Sequence, residues 1–161
     1  ELAALQVGVD LHANRSNGQQ FVVRRLSKRP HTFHIKNFLS QDECDKIIAH
    51  AKWKGFEKAE TTGQKQYRIG CDVSTLGSSE EPIVGAVESD AVRMLVSDEA
   101  VRLPGGGSED LHVLRYHPGG MYKPHYDAES SPRFLTILYY LNGKGATWFP
   151  FADSTAFAGN R

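Results

Sequence analysis

Cysteine is scarce in this chain, with Cys44 and Cys71 the only two among 161 residues. Two are too few for a disulfide scaffold. Neither sign of charge is in excess, since 19 Lys and Arg face 19 Asp and Glu, so bulk charge advertises no nucleic-acid or anionic-membrane partner. No apolar run approaches the roughly 18 to 20 residues that cross a bilayer, and no charged-then-apolar signal segment opens the chain. The glycine triplet Gly105-Gly106-Gly107 is not followed by Gly-Lys-Ser/Thr, so it reads as a connector and not as a phosphate-binding loop. Histidine is absent after His125. What is present, 40% hydrophobic residues over this length, suffices for one globular domain with a buried core. Because the chain opens on Glu1 rather than Met, an upstream segment is expected.

Residues 1–30 read as a flexible lead-in with one edge strand, and residues 31–161 as the main domain. Phe21 to Arg25 has strand character, and the basic Arg24, Arg25, Lys28 and Arg29 read as a solvated face. Asn14-Arg15-Ser16 matches an N-glycosylation acceptor, a pattern common by chance. Thr32 to Leu39 predicts a strand leading into a helix. Ser40 stands as its N-cap with Glu43 three residues on, the arrangement in which each side chain satisfies a backbone N–H of the first turn. Cys44, Ile47, Ile48 and Ala51 then form an apolar stripe at helical spacing, which makes Cys44 a core residue. Gln66 to Val73 reads as a strand. Pro82 opens a second helix, with Val84, Val87, Ala91, Met94 and Leu95 on one face. Short strands follow at Leu111 to Tyr116, Met121 to Tyr126, Phe134 to Leu141 and Ala146 to Phe151, with a His-Pro-Gly-Gly turn between the first two.

His125-Tyr126-Asp127 is the only His-x-Asp in the chain. Alternation along a strand puts residues i and i+2 on one face, so the imidazole and the carboxylate can meet at one atom. They are two of the three ligands of the facial triad that holds Fe(II) with open positions. An ordinary turn histidine beside a capping aspartate is the plain alternative for the triplet alone.

The surrounding residues carry more. Val113-Leu114-Arg115-Tyr116, the nine-residue spacing from Tyr116 to His125, Tyr122-Lys123-Pro124-His125-Tyr126-Asp127 and Arg133-Phe134-Leu135-Thr136-Ile137-Leu138-Tyr139-Tyr140-Leu141 closely resemble the prolyl 4-hydroxylases. These belong to the Fe(II) and 2-oxoglutarate-dependent dioxygenases. Ala146-Thr147-Trp148-Phe149-Pro150 is similar to that family's Gly-Gly-x-Thr-x-Phe-Pro strand, and Phe38-Leu39-Ser40 with Glu43-Cys44 and Ile47-Ile48 is similar to its opening helix.

The resemblance implies an α+β domain built on a double-stranded β-helix, or jelly roll, with supporting N-terminal helices. It implies Fe(II) held by His125 and Asp127, 2-oxoglutarate held by Tyr116, Thr136 and Tyr140, and a proline-containing peptide or protein held by Tyr122, Arg133 and Trp148. O2 is the co-substrate and ascorbate the reductant. The implied reaction hydroxylates proline while 2-oxoglutarate is oxidatively decarboxylated to succinate and CO2. The loop covering bound peptide carries an Arg-Thr-Ser-like stretch in the family, where this chain has Arg68-Ile69-Gly70. His117 is expected to face solvent. The family favours the secretory pathway, while the sequence itself leaves the cytoplasm open.

The family pattern also needs a third ligand, a histidine several dozen residues after the aspartate, and a basic residue for the far carboxylate of 2-oxoglutarate. Only 34 residues follow Asp127. The expectation is therefore a chain without the C-terminal strands, whose open strand edges invite self-association. The rival reading is a catalytically inactive truncated domain that serves as a peptide-binding or interaction module.

Overall fold

The computed structural model describes residues 2–59, 67–95, 109–127 and 135–152, and they make an α+β fold. It divides into two compact units. One comprises Glu1–Cys44, Ala86–Gly106 and Tyr140–Arg161, and the other Asp45–Gly85 and Gly107–Tyr139.

In the first unit three antiparallel strands, β1 (Asp10–Asn14), β2 (Gln20–Lys28) and β3 (His31–Lys36), form a sheet in the order β1-β2-β3. The division expected after residue 30 falls inside the β2–β3 hairpin. Alternation along β2 sends Phe21, Val23, Arg25 and Ser27 inward, and Phe21 meets Phe38 edge to face at 5.4 Å. The same alternation corrects the reading of the basic stretch as one solvated face. Arg24 is exposed and bonds Asp10 across the sheet at 2.6 Å, whereas Arg25 is only 4% exposed. Its guanidinium donates to the carbonyls of Ser27 and Leu5 and to His31 Nδ1. Neighbours on a strand point to opposite faces, so a basic pair cannot share one environment.

Helix α1 runs from Gln41 to Lys54. Its capping box is formed as the sequence predicts, with the Glu43 amide donating to Ser40 Oγ and the Ser40 amide to Glu43 Oε2. Cys44, Ile47 and Ala51 are buried. Helix α2, Pro82–Leu95, opens on its proline and buries Val84, Val87 and Ala91. Both cysteines are buried free thiols. No helix among the described residues is long and apolar enough to cross a membrane.

The second unit holds β4 (Glu57–Lys58), β5 (Arg68–Leu76) and β6 (Leu111–Tyr122), antiparallel in the order β4-β5-β6. Here three sequence expectations need correction. His-Pro-Gly-Gly does not turn the chain: β6 runs through it, and His117 to Gly120 bulge out opposite the single residue Gly70. The strand expected over Met121 to Tyr126 therefore continues β6 and stops at Tyr122. Lastly, Leu135 to Leu141 and Ala146 to Phe151 join no sheet among the described residues. They flank a tight turn in which the Gly143 amide donates to the Tyr140 carbonyl. β-propensity alone does not make a strand, because the ladder needs a neighbour to bond. Phe134 lies outside the described residues.

The bulge depends on Gly120. A Cβ there would sit 2.5 Å from the Gly70 carbonyl oxygen and 2.8 Å from that of His117, and backbone oxygens cannot swing aside as a flexible side chain can. Gly120→Ala is expected to cost about 1–3 kcal/mol, read as a lowered midpoint in urea unfolding. An unchanged midpoint would contradict this register.

Candidate functional site

β6 ends at Tyr122, and the next five residues bring His125 and Asp127 together. His125 Nδ1 lies 2.8 Å from the Lys123 carbonyl oxygen. A carbonyl only accepts, so the proton is on Nδ1 and Nε2 is turned the other way. Nε2 faces Asp127 Oδ1 at 3.0 Å. A nitrogen lone pair and a carboxylate oxygen this close repel each other unless a proton or a metal ion accompanies them.

The arrangement fits a metal. Two ligands about 2.1 Å from one ion and at right angles to each other lie about 3.0 Å apart. A ligating histidine also characteristically donates its other ring N–H to a carbonyl or carboxylate. The other carboxylate oxygen, Asp127 Oδ2, accepts a hydrogen bond from Thr136 Oγ1. Thr136, expected to meet 2-oxoglutarate, thus fixes the orientation of Asp127 and leaves Oδ1 turned to His125. Among the described residues no group of three His, Cys, Asp or Glu side chains gathers to hold an ion.

The imidazole is also clamped flat. Tyr122 stacks on His125 with ring centroids 3.7 Å apart and planes 19° from parallel. With one face of Tyr122 covered in this way, the Arg68 guanidinium carbon, 4.6 Å from the Tyr122 centroid, lies over the other. Arg68 and Tyr122 are direct cross-strand partners on β5 and β6.

Tyr116 pairs with Cys71 across the same strands. Burial pushes its phenol up to about 12, the hydrogen-bonded Cys71 thiol adds to the rise, and the Arg68 charge opposes it. The phenol therefore stays protonated and remains a donor throughout the physiological range. Burial likewise raises the Cys71 thiol, with Tyr116 and Arg68 opposing, so Cys71 is an inert core thiol and not a nucleophile.

Tyr140 and Trp148 belong to the first unit, where the Tyr140 hydroxyl bonds Thr147 and Trp148 is 74% exposed. Arg133 lies outside the described residues. His117 is about half-exposed, and its Nε2 contacts Asp72 at 2.9 Å. Arg68 is the residue that sequence reasoning undervalued. It registers there only as a departure from the family's loop, because cross-strand register is not written in either strand alone.

Three relatives from Arabidopsis thaliana decide the family. Prolyl 4-hydroxylase 2 is 30% identical over 147 residues, covering 81% of this chain and 47% of the relative. A probable prolyl 4-hydroxylase 3 is 31% identical over 144 residues, covering 80% and 48%. Prolyl 4-hydroxylase 5 is 30% identical over 152 residues, covering 84% and 50%. The chain belongs to the prolyl 4-hydroxylase family. It spans about half the length of the curated relatives it matches. No family model and no solved structure matches it. In this prolyl 4-hydroxylase family member the His125–Asp127 pair and the Thr136 bond to Asp127 lie within the second unit, as does Tyr116.

Proposed function

We propose that this protein is an oxygenase of the prolyl 4-hydroxylase type, which converts a proline C–H in a peptide or protein to C–OH and turns 2-oxoglutarate and O2 into succinate and CO2. One oxygen atom of O2 enters the hydroxyl and the other enters succinate, so the atoms balance. The reading is carried by the His125–Asp127 geometry: Nε2 and Oδ1 stand at the spacing of adjacent metal ligands, while Nδ1 is held by a backbone carbonyl. Fe(II), when bound, supplies the oxygen chemistry, with ascorbate as its reductant.

The chain's own residues bind and orient. His125 offers a lone pair whose direction is set by the Lys123 carbonyl and by the Tyr122 stack. Asp127 offers one oxygen because Thr136 occupies the other. Tyr116 donates to a carboxylate of 2-oxoglutarate, a role its protonated phenol suits. The proposed architecture is the double-stranded β-helix of the prolyl 4-hydroxylase family.

Succinate formation that depends on Fe(II), 2-oxoglutarate and a proline peptide tests the reading. Absence of peptide-dependent succinate under all these conditions would overturn it in favour of a non-catalytic peptide-binding module. A finer test concerns Thr136. Removing a hydrogen bond that orients a metal ligand typically costs ten- to a hundredfold in metal affinity. Thr136→Val is expected to lose about that much Co(II) affinity, while Thr136→Ser stays near the parent. Equal affinity in the valine variant would remove Thr136 from the site.

A further inference from the structure

The formal net charge of the chain is zero, yet its cations are not spread evenly. Arg25, Lys28, Arg29 and His31 line one open cavity of about 350 Å³ at the end of the β2–β3 hairpin, and among the described residues no Asp or Glu lines it. Leu5 and Gln6, from the segment before β1, line it as well. A concave surface carrying charge of a single sign focuses its field and concentrates counter-ions. Like charges held close also repel, and an ion of opposite sign relieves that repulsion.

The fold holds these groups in place. β2 carries one extra residue at Leu26, because Arg25 pairs with Phe33 and Ser27 with Thr32, and such a bulge re-aims the side chains beside it. Arg25 is buried, with its guanidinium carbon 5.7 Å from the Phe33 ring centroid. It donates to the carbonyls of Leu5 and Ser27 and to His31 Nδ1. Since a guanidinium only donates, His31 Nδ1 accepts, and the ring carries its proton on Nε2, where it remains a donor. Lys28 and His31 are direct cross-strand partners. The Ser27 hydroxyl donates to the Arg29 carbonyl and accepts from the Arg29 amide, which ties down the turn that carries Arg29. These contacts order the groups before a ligand arrives and so reduce the entropy lost on binding.

We propose that this cavity binds the phosphate group of a small ligand. Arg25, Lys28 and Arg29 bring three positive charges to its lining. A monocarboxylate would offset one of them, whereas a phosphate group carries close to two negative charges at neutral pH and offers three strong acceptor oxygens. Those acceptors match a guanidinium fork, an ammonium and an imidazole N–H. A volume of about 350 Å³ stands at the lower end of small-molecule clefts and suits a compact anion rather than a long acidic segment. Inorganic phosphate and a phosphate monoester share this chemistry. The cavity belongs to the first unit, and the proposal does not depend on the oxygenase reading.

Calorimetric titration of the purified chain at low salt tests the site, with potassium phosphate, glycerol 3-phosphate and acetate as probes. The phosphates are expected to bind, acetate is not, and added salt should weaken the binding. The Lys28→Gln, Arg29→Gln double variant should bind phosphate about ten- to a hundredfold more weakly. Both side chains are exposed, so its unfolding midpoint should match the parent's. His31→Phe should lose a smaller factor. Arg24→Gln is the control for charge alone, because that guanidinium pairs with Asp10 and does not line the cavity, and its affinity should stay near the parent's. A double variant that binds phosphate like the parent overturns the proposal, as does an equal loss in Arg24→Gln, which would mark a general effect of surface charge. No saturable binding of either phosphate by calorimetry or phosphorus NMR overturns it without recourse to any variant. Binding of heparin with neither small phosphate bound would assign the charges to a macromolecular polyanion and overturn the cavity site. Tighter binding of glycerol 3-phosphate than of inorganic phosphate identifies a phosphate ester as the ligand, and equal or weaker binding identifies the free ion.

Discussion

His125→Ala is expected to reduce Fe(II)- and peptide-dependent succinate formation to the level measured without iron, with the fold retained. The direction follows from the geometry. Deleting the imidazole removes a proposed metal ligand together with the preorganisation that the Lys123 carbonyl and the Tyr122 stack confer on it. Because loss of a group that only orients a ligand already costs ten- to a hundredfold, loss of the ligand itself should exceed about a hundredfold in metal affinity. His125 is exposed at the end of β6 rather than packed in a core, so the unfolding midpoint should stay within a few tenths of a kcal/mol of the parent. The paired readouts are succinate release and urea unfolding. Turnover that persists in a folded His125→Ala variant would sink the metal assignment, and would send attention to His117 as the competing imidazole on the bulge.

The largest stability effect is expected in the first unit, at Arg15. Its side chain is 1% exposed. Nε bonds Asp90 at 2.9 Å, Nη1 bonds both oxygens of Glu43 at 2.8 Å, and Nη1 also donates to the Phe38 carbonyl. Arg15→Ala would leave two carboxylates facing each other's charge in a buried place, and breaking such a network by removing one partner costs about 3–5 kcal/mol. The effect carries a pH signature. Burial pushes the Glu43 and Asp90 carboxyls up, but hydrogen bonds override it, from Ser40 and Arg15 to Glu43 and from Ser16 and Arg15 to Asp90, so both sit below their ordinary values. A carboxyl lowered in the folded state contributes stability that is present above the unfolded value, near pH 4, and is lost as pH falls through the folded one. Without Arg15 that contribution shrinks, since only the Ser40 and Ser16 hydrogen bonds are left to oppose burial. The difference between parent and variant should therefore be largest near pH 7 and shrink as pH falls through the lowered folded-state values. A pH-independent difference would mean that Arg15 acts by packing on Phe38 and not by charge.

Local signals carried far in this chain. Ser40 with Glu43 marked the start of α1, Pro82 marked the start of α2, and the apolar spacings named the residues those helices bury, because caps and helical periodicity are relations between residues at most a few turns apart. His125 and Asp127 were legible for the same reason, since two residues separated by a single one need no distant partner to converge. Family resemblance in the same stretch supplied the chemistry, and the relatives from Arabidopsis thaliana bear that family out.

What the sequence could not show depends on register and burial. Arg15 reads as the middle of a chance glycosylation pattern, yet it joins Glu43 and Asp90, the latter 75 residues away in sequence. Arg25 looks like one more solvated cation, yet alternation on β2 buries it. His-Pro-Gly-Gly reads as a turn and becomes a bulge, because β5 supplies Gly70 opposite it. Thr136 comes to face Asp127, and Arg68 comes to lie on Tyr122, only once strands and connections have placed them. The composition, the starts of the two helices, the His-x-Asp pair and the family were determined by the sequence itself. The partners of Arg15, Arg68, Thr136 and Tyr116 were decided by tertiary structure, for the physical reason that a charge or hydroxyl takes its role from what is close to it in space, and chain distance does not encode that.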